Sequence, residues 1–280
     1  MGIIQFAKSP WGQDVPIHIG WALIWVFAIA GLAFLVGHAI WVRFTKEEEF
    51  AGHTPKNVAD KVPGMVKRHS LTARLFHFVQ AASMLTLLFT AFLPKVGVKF
   101  DWVPIHWIAG LALIVSILFH IIHASFFMDF WSIWPDKIDI QDAKNRAKLM
   151  QGQAAPLPRR FAKYPFENKM YHMIIVLTGL SVAITGGFMI FRIRTPFLTR
   201  NPYIFADMTW GLMYVLHGLA GVGLIALIMS HVYFALRPEK LAISRSMVFG
   251  TITKEHYLAH HDPERWKIGA EETRTPGMGD

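Results

Sequence analysis

Apolar residues along this chain are gathered into five long runs, roughly 18–42, 75–93, 105–127, 170–191 and 211–236, separated by polar segments that contain proline. A soluble core spreads its apolar positions at helix or strand periodicity, whereas each of these runs matches the about 20 apolar residues needed to cross the hydrocarbon core of a bilayer. Lipid offers the backbone no hydrogen-bond partner, so all five runs are expected to be helices. The pattern predicts an all-α membrane protein, a five-helix transmembrane bundle. No small-x-small site follows Trp41, so the first run reads as a retained span and not as a secretory signal.

Most of the charge lies in 43–74 and 128–169. These segments hold Lys46-Glu47-Glu48-Glu49 and the stretch from Asp136 to Lys148, which predicts a short surface helix. Neither segment is long enough to be a domain. The polar tail 237–280 ends in Thr273-Arg274-Thr275-Pro276-Gly277-Met278-Gly279-Asp280, a composition that favours disorder at the extreme terminus.

A net charge of +9 would suit a nucleic-acid partner if the basic residues formed one patch, but they follow the loops. Segments 43–74, 128–169 and 237–280 carry seven, eight and seven Lys or Arg, against one, two and three in the N-terminus, 94–104 and 192–209. Twenty-two against six places the N-terminus outside and the C-terminus in the cytoplasm by the positive-inside rule, with the lipid bilayer as partner and no nucleic acid. The chain has no cysteine, which excludes disulfides, c-type haem attachment and cysteine-ligated iron–sulfur clusters. Cluster chemistry must belong to a partner.

Nine of the fourteen histidines lie in or beside the runs: His18, His38, His77, His106, His120, His123, His172, His217 and His231. Ionisable groups within a bilayer are costly and point to function. Laid together from His106 and His217, the third and fifth runs agree at seven of fifteen positions, including His120 with His231 and Gly110 with Gly221. Residues 14 apart on a helix are separated by about 21 Å along the axis and about 40° around it. Each such pair therefore places one imidazole near each membrane surface on a single face. Two haem b groups stacked across the membrane need this arrangement, each iron taking imidazoles from two helices. Gly110 and Gly221, one turn from His106 and His217, could admit a porphyrin or serve ordinary helix packing. The topology puts His106 and His217 at the same outer depth. His231 has the inner depth, and His77, His120 and His123 compete to face it. His18 and His38 fall at span ends, where an amphipathic ring is commonly found.

The order Arg74-x-x-His77-Phe78, His106-x-x-x-Gly110, Glu167-Asn168-Lys169-Met170, then His217 and His231, resembles the cytochrome b, or gamma, subunit of respiratory formate dehydrogenase across most of 70–268. The tail His260-His261-Asp262-Pro263-Glu264-Arg265-Trp266 is similar as well. The Arg-x-x-His start is shared more loosely by b subunits of nickel–iron hydrogenases and thiosulfate reductases. The resemblance implies two haems, His77 with His231 inside and His106 with His217 outside, in a four-helix core at 75–236. Segment 1–74 is then an extra helix and loop, and 237–280 a cytoplasmic tail. The extra run and His120 depart from the family pattern; the internal repeat would instead pair His120 with His231, as in the cytochrome b of quinol–cytochrome c reductases. A third haem using His38, His120, His123 or His172 is not expected.

In the resembling family a quinone site lies beside the inner haem, lined by the segment that enters the span after the long cytoplasmic loop. Here that segment offers Tyr164, Asn168, Lys169 and His172, with Pro165 and Glu167 where the family has asparagine and glycine. Menaquinone or ubiquinone would exchange electrons there. The implied partners are an iron–sulfur subunit at the outer face and a catalytic subunit, molybdenum- or tungsten-containing if its substrate is formate. Two rival classes remain: a histidine-rich, cofactor-free transporter or proton channel, and a di-iron membrane hydroxylase or desaturase built on His256, His260 and His261.

Overall fold

The computed structural model describes residues 2–45, 50–52 and 54–268. The Lys46-Glu47-Glu48-Glu49 run and the extreme C-terminal residues lie outside the described residues. Within them the chain forms β1 (Ile4–Lys8), β2 (Asp14–Ile19), α1 (Ala22–Val42), α2 (Lys56–Ala59), β3 (Met65–Lys67), α3 (Leu71–Phe92), α4 (Trp102–Phe127) and α5 (Lys137–Met150). There follow α6 (Phe166–Met189), α7 (Asp207–Leu236), α8 (Leu241–Phe249), β4 (Thr251–Thr253) and α9 (Lys254–His260). Five helices, α1, α3, α4, α6 and α7, are long and apolar enough to span a membrane, and the protein is an all-α, multi-pass membrane protein. Along α4, Ile108, Val115, Leu118 and Ile122 are each more than half exposed. Water would not tolerate so large an apolar face, whereas lipid covers it.

Helices α3, α4, α6 and α7 begin three or four residues before the apolar runs because a helix's first turn is polar. That turn carries free N–H groups that side chains and interfacial water satisfy. Ser70 Oγ accepts the Ala73 N–H at 3.1 Å ahead of α3, and Glu167 and Asp207 sit in the first turns of α6 and α7. Helix α1 departs the other way. It starts at Ala22 because residues 14–19 form β2, paired antiparallel with β1 through a turn with Gly12 at φ 78°. His18 therefore lies in a strand and not at a helix end, with its Nδ1 2.6 Å from the Ile19 carbonyl.

The chain divides into two compact units. The first comprises Met1–Arg43, His77–Leu118 and Ile175–Phe234. Its packing centres on Ile19, Ile24, Val215 and Val222. Two glycines on α7 bring the N-terminal hairpin close: a Cβ at Gly211 would collide with the Pro16 carbonyl, and one at Gly218 would meet Ile19 at 3.1 Å. A Cβ at Gly31 of α1 would meet Ala226 and Met229 of α7 at 3.3 Å, the close helix approach that small residues permit in lipid.

The second unit comprises Phe44–Phe76, Phe119–Ile174 and Ala235–Asp280. The β3–β4 ladder, with Val66 opposite Ile252, joins loop to tail. Around it Val62, Tyr257 and Trp266 complete a core, and the Tyr257 hydroxyl donates to the Trp266 carbonyl at 2.6 Å. The expected helix at 136–148 is α5, started by a capping box between Asp136 and Asp139. One face of α5 is buried by charge. Asp139 accepts from Lys169 Nζ and from Arg265 Nη2, each at 2.7 Å, while Arg159 bonds Asp142.

Lys169 and Asp139 are 2% and 5% exposed, so removing one charge leaves the other buried without compensation. Burial alone would raise the Asp139 carboxyl, but the Asp136 N–H and the Lys169 and Arg265 cations outweigh it and hold it below its ordinary value. Its contribution to stability is therefore complete above the usual carboxylate range and is lost as pH falls through the lowered folded value. Asp139→Ala should lower stability by about 3–5 kcal/mol, read as a fall in the thermal midpoint of the detergent-solubilised chain. Asp139→Leu combined with Lys169→Met should recover most of that loss.

Candidate functional site

Helices α4 and α7 carry His106 and His217 in the first unit, and the two imidazoles face each other with ring centroids 6.3 Å apart. His77 of α3 and His231 of α7 form a second pair in that unit, also at 6.3 Å. A direct N–H···N hydrogen bond of about 3 Å would bring such centroids to about 5.3 Å or less. Two imidazoles bound to opposite sides of one metal ion, with bonds of about 2 Å, lie about 6.3 Å apart. Both pairs therefore have the spacing of axial ligands.

The His106 and His217 rings are further oriented by threonines. Thr90 Oγ1 of α3 lies 2.8 Å from His106 Nδ1, and Thr185 Oγ1 of α6 lies 2.9 Å from His217 Nδ1. Each hydroxyl spends its one hydrogen on a carbonyl of its own helix, that of Thr86 or Ser181. With its hydrogen placed there, the hydroxyl oxygen accepts from the imidazole, the arrangement that puts the proton on Nδ1 and leaves the Nε2 lone pair for a metal. His77 Nδ1 is buried with no hydrogen-bond partner. Gly186 adds a steric condition, since a Cβ there would meet His217 Cε1 at 3.1 Å. Thr90, Thr185 and Gly186 are functional candidates that spacing alone does not find; threonine and glycine are too common in spans to stand out.

Gly110 and Gly221 can be weighed against the packing alternative. A Cβ at either would meet nothing nearer than Leu87 at 3.9 Å or Phe92 at 3.8 Å. No helix approaches them as α7 approaches Gly31. The space beside each is the room that a flat macrocycle against the helix requires, and the residues of this unit fit haem.

The ring brought to His231 is that of His77. His120 lies in the second unit, against Phe76 at 4.4 Å and His172 at 6.5 Å. His123 there lies among the rings of Phe76, Phe119 and Phe127. His38 of the first unit has its Nδ1 3.1 Å from the Tyr233 hydroxyl, in an aromatic contact between α1 and α7.

Of the four residues read as quinone-binding, Lys169 is engaged by Asp139 and by the Trp134 carbonyl at 3.3 Å, leaving it no free face. The Tyr164 ring lies under Arg68 and Lys163. Asn168 is exposed, and His172 adjoins His120.

His256, His260 and His261 border a small pocket with Phe161, Pro165, Glu239, Lys240 and Ile243. His261 is fully buried; its Nδ1–H donates to the Ala162 carbonyl at 2.7 Å and its Nε2 accepts from Arg68 at 3.2 Å. Burial and then Arg68 push its pKa down to about 3, and burial, then His260, pushes His256 down to about 4. With both nitrogens committed, His261 cannot ligate iron. Among the described residues no group of three or more His, Cys, Asp or Glu could hold a metal ion, which removes the basis of the di-iron reading.

A family model described as prokaryotic cytochrome b561 matches residues 68–250. That stretch contains both histidine pairs and excludes α1. No curated protein matches the chain.

Thr185→Val should free the His217 ring without emptying its space, weakening haem retention by about 10–100-fold. Gly186→Leu should displace the ring and weaken retention further. Both are read as haem lost per chain during dialysis against apo-myoglobin, and retention equal to the parent chain would contradict the orienting role.

Proposed function

Because this chain belongs to the prokaryotic cytochrome b561 family, and is therefore a membrane b-type cytochrome of electron transfer, we propose that it is the membrane-anchoring di-haem subunit of a respiratory oxidoreductase complex similar to the gamma subunit of formate dehydrogenase. One observation carries this reading: two imidazole pairs, each joining two membrane-spanning helices, share a 6.3 Å separation. A haem b bound by each pair supplies reversible one-electron chemistry at iron.

His106 and His217 hold the outer group and His77 and His231 the inner. The 14-residue spacing of His217 and His231 on α7 sets the two about 21 Å apart along the helix axis. Thr90 and Thr185 keep the outer imidazoles in the ligating tautomer. Electrons enter from an iron–sulfur subunit on the outer face, since this cysteine-free chain holds no cluster of its own. They leave to menaquinone or ubiquinone at the cytoplasmic face, in a bacterial inner membrane. Within the proposed quinone segment, His172, Tyr164 and Asn168 keep polar atoms for the quinone oxygens, whereas Lys169 serves the buried ion network. A separate catalytic subunit of molybdenum or tungsten type sets the substrate. The same parts would serve a hydrogenase or a sulfur-oxyanion reductase, with either direction of flow.

A reduced-minus-oxidised spectrum with pyridine haemochrome quantitation tests the reading. His106→Ala and His217→Ala should each remove one and the same haem, and His77→Ala and His231→Ala a different one. A purified chain without a Soret band would end the proposal and favour a cofactor-free transporter. An unchanged count in His77→Ala would remove His77 from the ligand set.

A further inference from the structure

Of the three close imidazole pairs formed between membrane-spanning helices, the di-haem reading uses two. His120 of α4 and His172 of α6, in the second unit, form the third, with ring centroids 6.5 Å apart and planes at 75°. This is within 0.2 Å of the 6.3 Å of the other two pairs. It again exceeds the about 5.3 Å that a direct N–H···N bond would impose and fits two nitrogens bound to one metal. We propose that His120 and His172 are the axial ligands of a third haem b, beyond the two that the functional reading assigns, which leaves the quinone contact of that segment to Tyr164 and Asn168.

Separation alone does not make a ligand pair. His256 and His261 lie 6.1 Å apart, yet His261 has spent both nitrogens on Ala162 and Arg68. His120 and His172 are in the opposite condition. The Nδ1 atoms of both are buried and without a hydrogen-bond partner. Ionisable side chains between apolar helices are expensive to place there, and a bound group is the simplest compensation.

The ligand set selects the group. Among the described residues no third His, Cys, Asp or Glu joins this pair to make an ion site. A bare cation would therefore find two protein ligands and an otherwise open coordination sphere. Haem brings four equatorial nitrogens of its own, so two axial imidazoles suffice to complete six-coordination. Phe76, 4.4 Å from His120 with the rings tilted by 38°, supplies an apolar, aromatic wall of the kind a macrocycle contacts.

The test uses the full chain purified in detergent, with haem and protein quantified together. The expected count is about three haem b per chain, falling to about two in His120→Ala and in His172→Ala, with one low-spin bis-imidazole signal lost from the electron paramagnetic resonance spectrum each time. Because truncation could loosen the helices, His120→Gly is also measured with added imidazole, which should restore the missing signal if the side chain acts as a ligand. A parent count of about two, or substitutions that leave count and spectrum unchanged, would overturn this proposal and leave the di-haem reading intact. Loss of the His106/His217 signal in His120→Ala would equally overturn it, as a general folding effect. A chain with no haem would fail both.

Discussion

An imidazole surrounded by hydrocarbon must be neutral, and a neutral imidazole has one N–H to give away and one lone pair to spend. Much of the first unit follows from that requirement. The N–H of His106 goes to Thr90 and that of His217 to Thr185, and each threonine in turn donates to its own helix. The two imidazole ring centroids stand 6.3 Å apart, a gap too wide for a direct hydrogen bond between them. The helices supply everything about an axial ligand pair except the metal, and the helix spacing that keeps the gap open is itself maintained at positions such as Gly186, where any side chain would push His217 aside.

Much of this was legible in the sequence because the bilayer acts as a severe editor. Apolar runs of the right length can only be helices, so existence and number were secure, and the histidines, costly in lipid, stood out against them. The periodicity of α4 and α7 brought His106 to the depth of His217. What hydropathy cannot read is where a helix begins, since the first turn is polar by necessity. It also misread residues 18–21 as membrane, because the strand Asp14–Ile19 is itself apolar enough to extend a run. The choice among His77, His120 and His123 as the neighbour of His231 was not legible either. It depends on the rotation of α3 about its axis, which packing sets and composition does not.

The polar segments hid more. Read separately, 43–74, 128–169 and 237–280 are loops and a tail; folded, the first and last build a core on Val66, Ile252, Tyr257 and Trp266, and Phe161 of the middle one bridges to His261 of the tail. No local pattern announces this, since β3 and β4 are three residues each and pair across the intervening segment 68–250, with Lys67 opposite Thr251 and Met65 opposite Thr253. Lys169 shows the cost of reading such a segment by chemistry alone. An ammonium group at interface depth suits a quinone oxygen, but a carboxylate from α5 and the competing guanidinium of Arg265 occupy the same space. A buried ion pair that loses one member is penalised far more than a quinone hydrogen bond would return, so the structural role prevails.

The asymmetry between the two pairs used by the functional reading bears on the potential of the iron they would hold. An imidazole that donates its Nδ1 hydrogen to a well-placed acceptor becomes a more basic ligand, and a more basic axial ligand favours the oxidised, more positively charged iron. Both members of the His106/His217 pair have such an acceptor, whereas His77 Nδ1 is buried with none. A haem held by His106 and His217 would thereby be shifted towards its oxidised form by both threonines. Two hydroxyl groups, each satisfied by its own helix, would in this way act on the potential of the group that the imidazoles hold, whichever way electrons pass.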